Sequence, residues 1–202
     1  MNKYITEMIG TFFLVSGAML GGAMGASLAL MVMIYAGGHV SGAHYNPAVT
    51  LSVWMRGKIE MKDALMYWIF QFVAAVIAAL VVMYVFNNEG SGACKEAEGW
   101  ATKAILAEML GTFALAYVVL NVATAKATSG NSFYGLAIGG TVLAMATALG
   151  GFSGGAFNPA VAIGLGVQKS FCWDHIWVYF VGPLGGGALA AIAFSFINPD
   201  DK

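Results

Sequence analysis

The tripeptide Asn-Pro-Ala occurs twice, at Asn46-Pro47-Ala48 and Asn158-Pro159-Ala160, each after a Gly-rich approach, SGAHYNPAV and SGGAFNPAV. Asn is a favoured N-cap, and Pro is favoured at the first helical position because the N–H it lacks would be unpaired there. Each copy therefore reads as a helix start preceded by irregular backbone. From Pro47 to Arg56 is about ten residues, roughly 15 Å of helix and half the apolar thickness of a bilayer. Gly57 marks its stop, and the second helix, from Pro159 to Gln168, has a similar length. Two such half-helices entering from opposite faces meet N-terminus to N-terminus. Each end carries roughly half a positive charge, so a cation between them faces two repelling dipoles in a low dielectric. Asn46 and Asn158 cap with their side-chain oxygens and present amide donors to the lumen. A water accepting both donors points its own protons away, which interrupts a proton wire. The chemistry predicted is passive passage of small uncharged molecules.

Such helix starts need a surround without bulk water, and composition supplies it. The chain has 202 residues, 59% hydrophobic and 9% charged, where a soluble domain carries about 25% charged residues. Its mean hydropathy is +0.77. The charges cluster between apolar runs, which predict six spans at about 4–20, 23–38, 64–86, 104–125, 133–150 and 175–197. The third is the clearest, since Ala64 to Phe86 holds no charge. This is the pattern of an all-α integral membrane protein, and irregular backbone at that depth is tolerable only where it lines a cavity. The first run begins at Tyr4 with no basic segment before it, so it reads as a retained span.

The chain also repeats itself. Glu7-Met8-Ile9-Gly10-Thr11-Phe12 is echoed by Glu108-Met109-Leu110-Gly111-Thr112-Phe113, and Ser41-Gly42 precedes the first tripeptide as Ser153-Gly154 precedes the second. Gln71 and Pro183 lie equally far beyond their asparagines. One channel domain over 1–202 is expected, with repeats over about 1–86 and 103–197 joined by a polar outer loop, 87–102. Three spans per half is an odd number, so the halves insert with opposite orientation. Inverted repeats of this type place their site near the midplane at discontinuous helices.

Basic residues predict cytoplasmic termini: Lys3, Arg56, Lys58, Lys62, Lys126 and Lys202 fall inside, and Lys95, Lys103 and Lys169 outside. The membrane expected is the plasma (cell inner) membrane. A net charge of −1 without a basic patch argues against nucleic acid as a partner. Cys94 and Cys172 both fall outside and read as unpaired thiols, with a disulfide as the alternative. Neither has metal-ligand spacing, the three histidines form no cluster, and no nucleophile–base pair is visible. Metal chemistry and catalysis are unsupported. Trp54, Trp68, Trp100, Trp173 and Trp177 read mostly as interfacial anchors near span ends. Gly150, Gly151, Gly154 and Gly155 are candidates for pore-lining backbone from an unwound loop.

With GHVSGAHYNPAVTL, FNPAV, the paired Glu-x-x-Gly-Thr segments, Gln71 and Gly182-Pro183, the chain resembles the aquaporins of the major intrinsic protein family. These marks run from residue 7 to residue 183. The resemblance implies six transmembrane helices plus two half-helices, a homotetramer with one pore per subunit in the lipid bilayer, and no cofactor. It implies that Glu7 and Glu108 brace the irregular loops, with Glu108 paired to His44. A proton-coupling role is the other reading for an intramembrane carboxylate. By distance from the motifs, it puts the selectivity filter at Ala26, Ala146, Gly155 and Val161.

Departures from the family carry most of the functional information. Members selective for water or glycerol usually have Arg three residues after the second Asn, where this chain has Val161. Four small or apolar filter residues imply a wide constriction with no fixed cation. Ala162, Tyr179 and Phe180 are closer to the water type than to the glycerol type. The gap from Glu7 to Asn46 is eleven residues shorter than that from Glu108 to Asn158, the difference falling around Gly21-Gly22-Ala23-Met24-Gly25. Spans one and two are therefore expected to be short, about sixteen residues or ~24 Å each, with Ala26 near the outer mouth. The function expected is a channel for water and other small neutral solutes: ammonia, urea, hydrogen peroxide and glycerol. A membrane-junction protein with a closed pore and an ion-coupled transporter are the alternatives.

Overall fold

A computed structural model of the chain describes residues 1–92 and 99–201, so Cys94, Lys95 and Lys202 lie outside the described residues. The helices are Asn2–Ser41 (α1), Pro47–Met55 (α2), Met61–Val85 (α3), Trp100–Val119 (α4), Tyr134–Ser153 (α5), Pro159–Val167 (α6) and Val178–Ile197 (α7). No strand occurs among the described residues. Five stretches are long and apolar enough to cross a membrane. One of these is α1, which doubles back on itself, so the chain makes six crossings.

The reversal in α1 rests on one residue. Gly22 holds φ 56° and ψ −144°, a conformation reserved for glycine, and the arms on either side run antiparallel. They approach backbone to backbone: a Cβ added at Gly17 would stand 2.6 Å from the Gly25 carbonyl oxygen. The expectation of sixteen-residue arms is thereby corrected. With 40 residues in α1, each arm has about half, enough at 1.5 Å per residue to span roughly 30 Å. The missing eleven residues come out of the connection instead, and Ala26, one turn past Gly22, is partly buried against the core.

Helix α3 shows why the bundle belongs in lipid. Ala64, Tyr67, Gln71, Ala74, Ala75, Ala78, Ala79 and Val82 recur at helical spacing and are buried. Leu65, Ile69, Val73, Ile77 and Leu80 occupy the other face and are exposed. Large apolar groups outside with small and polar groups inside is the reverse of a water-soluble helix.

The half-helices α2 and α6 are each seated by the opposite repeat. Ser52 in α2 donates to the Gly187 carbonyl of α7 at 2.9 Å, and a Cβ on Gly187 would meet the Ala48 carbonyl. In the corresponding place, a Cβ on Gly164 of α6 would stand 3.3 Å from the Ala75 carbonyl of α3. Small residues let the short helices sit this close.

Their far ends are tied to opposite faces. Arg56, the C-cap of α2, pairs with Asp201 at 2.8 Å, and Asp201 also accepts the Lys126 backbone N–H. Nearby on that face Lys3 pairs with Asp63. At the far end of α6, Gln168 donates to Asn88 at 2.8 Å and Lys169 pairs with Glu89. Gly90 and Gly92 donate to the carbonyls of Gln168 and Lys169, so residues 88–92 of the loop are held to the end of α6 while most of them stay exposed.

Two smaller expectations change. Cys172 is disulfide-bonded, not a free thiol. Trp68 is no interfacial anchor: its indole N–H donates to the Pro47 carbonyl at 3.0 Å, at the start of a half-helix.

Candidate functional site

The site grows from the two helix starts. Asn46 and Asn158 are extended residues whose side-chain oxygens accept the backbone N–H of Ala48 and Ala160 at 2.8 and 2.9 Å. Pro47 and Pro159 follow at the first helical position, where the missing N–H leaves no gap. The amide nitrogens then cross over. Asn46 Nδ2 donates to the Phe157 carbonyl and Asn158 Nδ2 to the Tyr45 carbonyl, both at 2.9 Å. Each amide thus uses one N–H to fasten the other loop and keeps one. The N-termini of α2 and α6 are held tip to tip.

Each approach loop needs left-handed backbone at three places: Gly42, Ala43 and Tyr45 in the first, Gly154, Gly155 and Phe157 in the second. Such conformations at non-glycine residues cost about 1–3 kcal/mol each unless the surroundings enforce them. The buried carboxylates do the enforcing. Glu7 accepts from Ser41 Oγ and the His44 N–H on one oxygen, and from the Tyr45 N–H and Gln71 Nε2 on the other. Glu108 accepts from Ser153 Oγ, the Ala156 N–H and the Phe157 N–H. The expected pairing of Glu108 with His44 is therefore corrected: His44 belongs to the Glu7 network. Each carboxylate serves the loop of its own repeat because the chain returns beside it. His44 Nδ1 instead contacts Thr50 Oγ1 at 3.1 Å, which also takes a hydrogen bond from Gln71.

Tyr45 and Phe157 were not singled out by the sequence, yet their rings fill the space over Gly10 and Gly111, where no Cβ would fit. The signal was available: an aromatic immediately before each Asn, and a glycine three residues after each Glu.

A cavity of about 340 Å³ runs along the helix tips. Asn46, Asn158 and His44 are on its wall, and so are all four proposed filter positions, Ala26, Ala146, Gly155 and Val161. It reaches Gly22 at one end. At the other, Ile34, Ala43, Val119 and Ile138 also border a second cavity of about 460 Å³ on the face of the termini. Among the described residues, none lining the first cavity bears a formal charge, and only His44, Asn46 and Asn158 bring hydrogen-bonding side chains to it. Gly150, Gly154 and Gly155 line it and Gly151 does not. Gly150 and Gly151 are still helical, because α5 runs on to Ser153 before the left-handed cap at Gly154. Among the described residues, no cluster of His, Cys, Asp or Glu could hold a metal.

Six crossings with two opposed half-helices and a cavity along their tips define a helical membrane channel. Residues 14–194 match the model of the family described as Major intrinsic protein. The chain is 36% identical over 181 residues to Aquaporin TIP1-2 of Zea mays, covering 89% of this chain and 71% of that protein. It is 32% identical to Aquaporin NIP2-1 of Oryza sativa subsp. japonica, covering 100% and 72%. The fold matches the X-ray structure of the aquaglyceroporin from Plasmodium falciparum with a TM-score of 0.80 at 20% identity, over 98% of this chain and 97% of that one. The chain belongs to the major intrinsic protein family, a family of channels for water and small solutes rather than enzymes.

Proposed function

We propose that the chain forms a passive pore for water together with ammonia, urea, hydrogen peroxide and, less readily, glycerol. The observation that carries this reading is the crossed pair Asn46 and Asn158 at two opposed helix N-termini, on the wall of a cavity whose lining is uncharged among the described residues. Two half-charges of the same sign raise the barrier for cations in a low dielectric, while a neutral molecule passes donors it can accept from. The filter assigned to Ala26, Ala146, Gly155 and Val161 offers no cation and little bulk, which supports a permissive pore. Glu7 and Glu108 act as loop braces. Their oxygens are already taken up by backbone and side-chain donors, which favours a channel over proton-coupled transport. The homotetramer, the plasma or cell inner membrane and cytoplasmic termini complete the proposal, the last supported by the bias of basic residues.

Stopped-flow light scattering on proteoliposomes is the test. Osmotic shrinkage well above that of empty liposomes is expected. Shrinkage no faster than the control would favour a closed junction protein, and solute uptake driven by a pH gradient would favour a transporter.

A further inference from the structure

One aromatic on the cavity wall belongs to neither tripeptide nor to any of the four filter positions. Phe171 borders the cavity beside Gly154, Gly155, Val161 and Leu165, at the end that reaches Gly22. Its ring lies so close over Gly154 that a Cβ there would stand 2.7 Å from Cε1. It stacks on Tyr179 with centroids 4.4 Å apart and planes 21° from parallel. Tyr179 in turn donates its hydroxyl to the Ser153 carbonyl, and Ser153 donates to Glu108. The ring is thus fixed to the same carboxylate that holds the second approach loop.

The backbone carrying the ring is fixed as firmly. Lys169 takes a left-handed φ of 68°, and the N–H groups of Ser170 and Phe171 both turn back to the Leu165 carbonyl. Gly90 and Gly92 bind the carbonyls of Gln168 and Lys169 from outside, and Cys172 is disulfide-bonded. The turn at Lys169 is the left-handed ending that Gly57 gives α2, and here it delivers an aromatic ring to the cavity wall. The four filter positions cannot supply bulk, being Ala26, Ala146, Gly155 and Val161.

We propose that Phe171 is the specificity-determining residue that limits solute size at the mouth opposite the termini. It is a rigid apolar lip standing beside small residues in a pore without a filter cation. This rests on the channel reading. Water and ammonia pass the ring edge, and larger polar solutes are slowed by its bulk and by its lack of hydrogen bonds.

The test uses proteoliposomes of the full chain and stopped-flow permeabilities for water, urea and glycerol. Phe171→Ala should raise the glycerol-to-water ratio by roughly tenfold, as expected for removing bulk at a size-limiting contact. Phe171→Trp should lower the urea-to-water ratio in the same assay, and it keeps the test decisive if the alanine variant fails to fold. A ratio unchanged in either folded variant, or all three permeabilities moving together, would overturn the proposal while leaving the channel intact. Wild-type vesicles no faster than empty ones would instead remove the channel reading on which it rests.

Discussion

Asn46 and Asn158 are bound by exchange: each side-chain amide donates to the carbonyl of the residue just before the other, Phe157 and Tyr45, at 2.9 Å. The exchange ties the two half-helix tips together at the point where their dipoles face the cavity. Asn158→Asp removes the donor to Tyr45 and puts a negative charge beside two positive helix ends. Ion conductance across planar bilayers should rise above the wild-type background. A variant that stays at background would remove the electrostatic account of exclusion.

Val161 stands on the cavity wall with Ala26, Ala146 and Gly155, where the space is bounded by small side chains. Val161→Arg puts a long cation into that space. Urea and ammonia permeability should fall relative to water, by roughly tenfold or more for urea, the scale on which one added group discriminates in a pocket. Equal ratios in the two proteins would count against a wide filter.

Glu7→Gln and Glu108→Gln test bracing against proton coupling. Whichever carboxylate oxygen becomes an amide group, it confronts a backbone N–H: His44 or Tyr45 in one loop, Ala156 or Phe157 in the other. An unmet buried donor costs about 1–3 kcal/mol, so both variants should melt at lower temperature in detergent. Permeability in the folded fraction should not depend on a pH gradient in either wild type or variant. Gradient-driven uptake that vanishes in the Gln variants would assign these acids a proton-carrying role.

Asp201 lies beyond the last span and is held below its ordinary pKa of 3.8 by the Lys126 backbone N–H and by Arg56. A depressed carboxylate contributes stability above its unfolded pKa and loses it as the pH falls through the folded value. Asp201→Asn should therefore lower the melting temperature at pH 5 and above, with the difference closing below pH 3.8. A gap that persisted at the lowest pH would mean the side chain acts by packing rather than by charge.

The half-helices were legible because their signals are local: an N-cap Asn, a Pro after it and a length set by where the apolar run stops. The hairpin in α1 was not. Its residue deficit could be met by shorter arms or by a shorter turn, and only the backbone-to-backbone approach of Gly17 and Gly25 decides for the turn. Glu108 was given the wrong partner because the repeat identifies equivalent residues without saying which loop returns beside which acid. Phe171 escaped notice for a related reason. Counting from a motif reaches only positions that the family pattern already assigns, whereas this ring is delivered by a turn after the half-helix has ended and stacks on Tyr179.

The swapped seating of α2 and α6 also bears on how the chain is made. Gly187 supports Ser52, and it is synthesised 135 residues after it. The first stub helix therefore waits in the translocon without its backing until α7 has been synthesised. A nascent chain halted before residue 187 holds both tripeptides and lacks the α7 contact on which the first half-helix is seated.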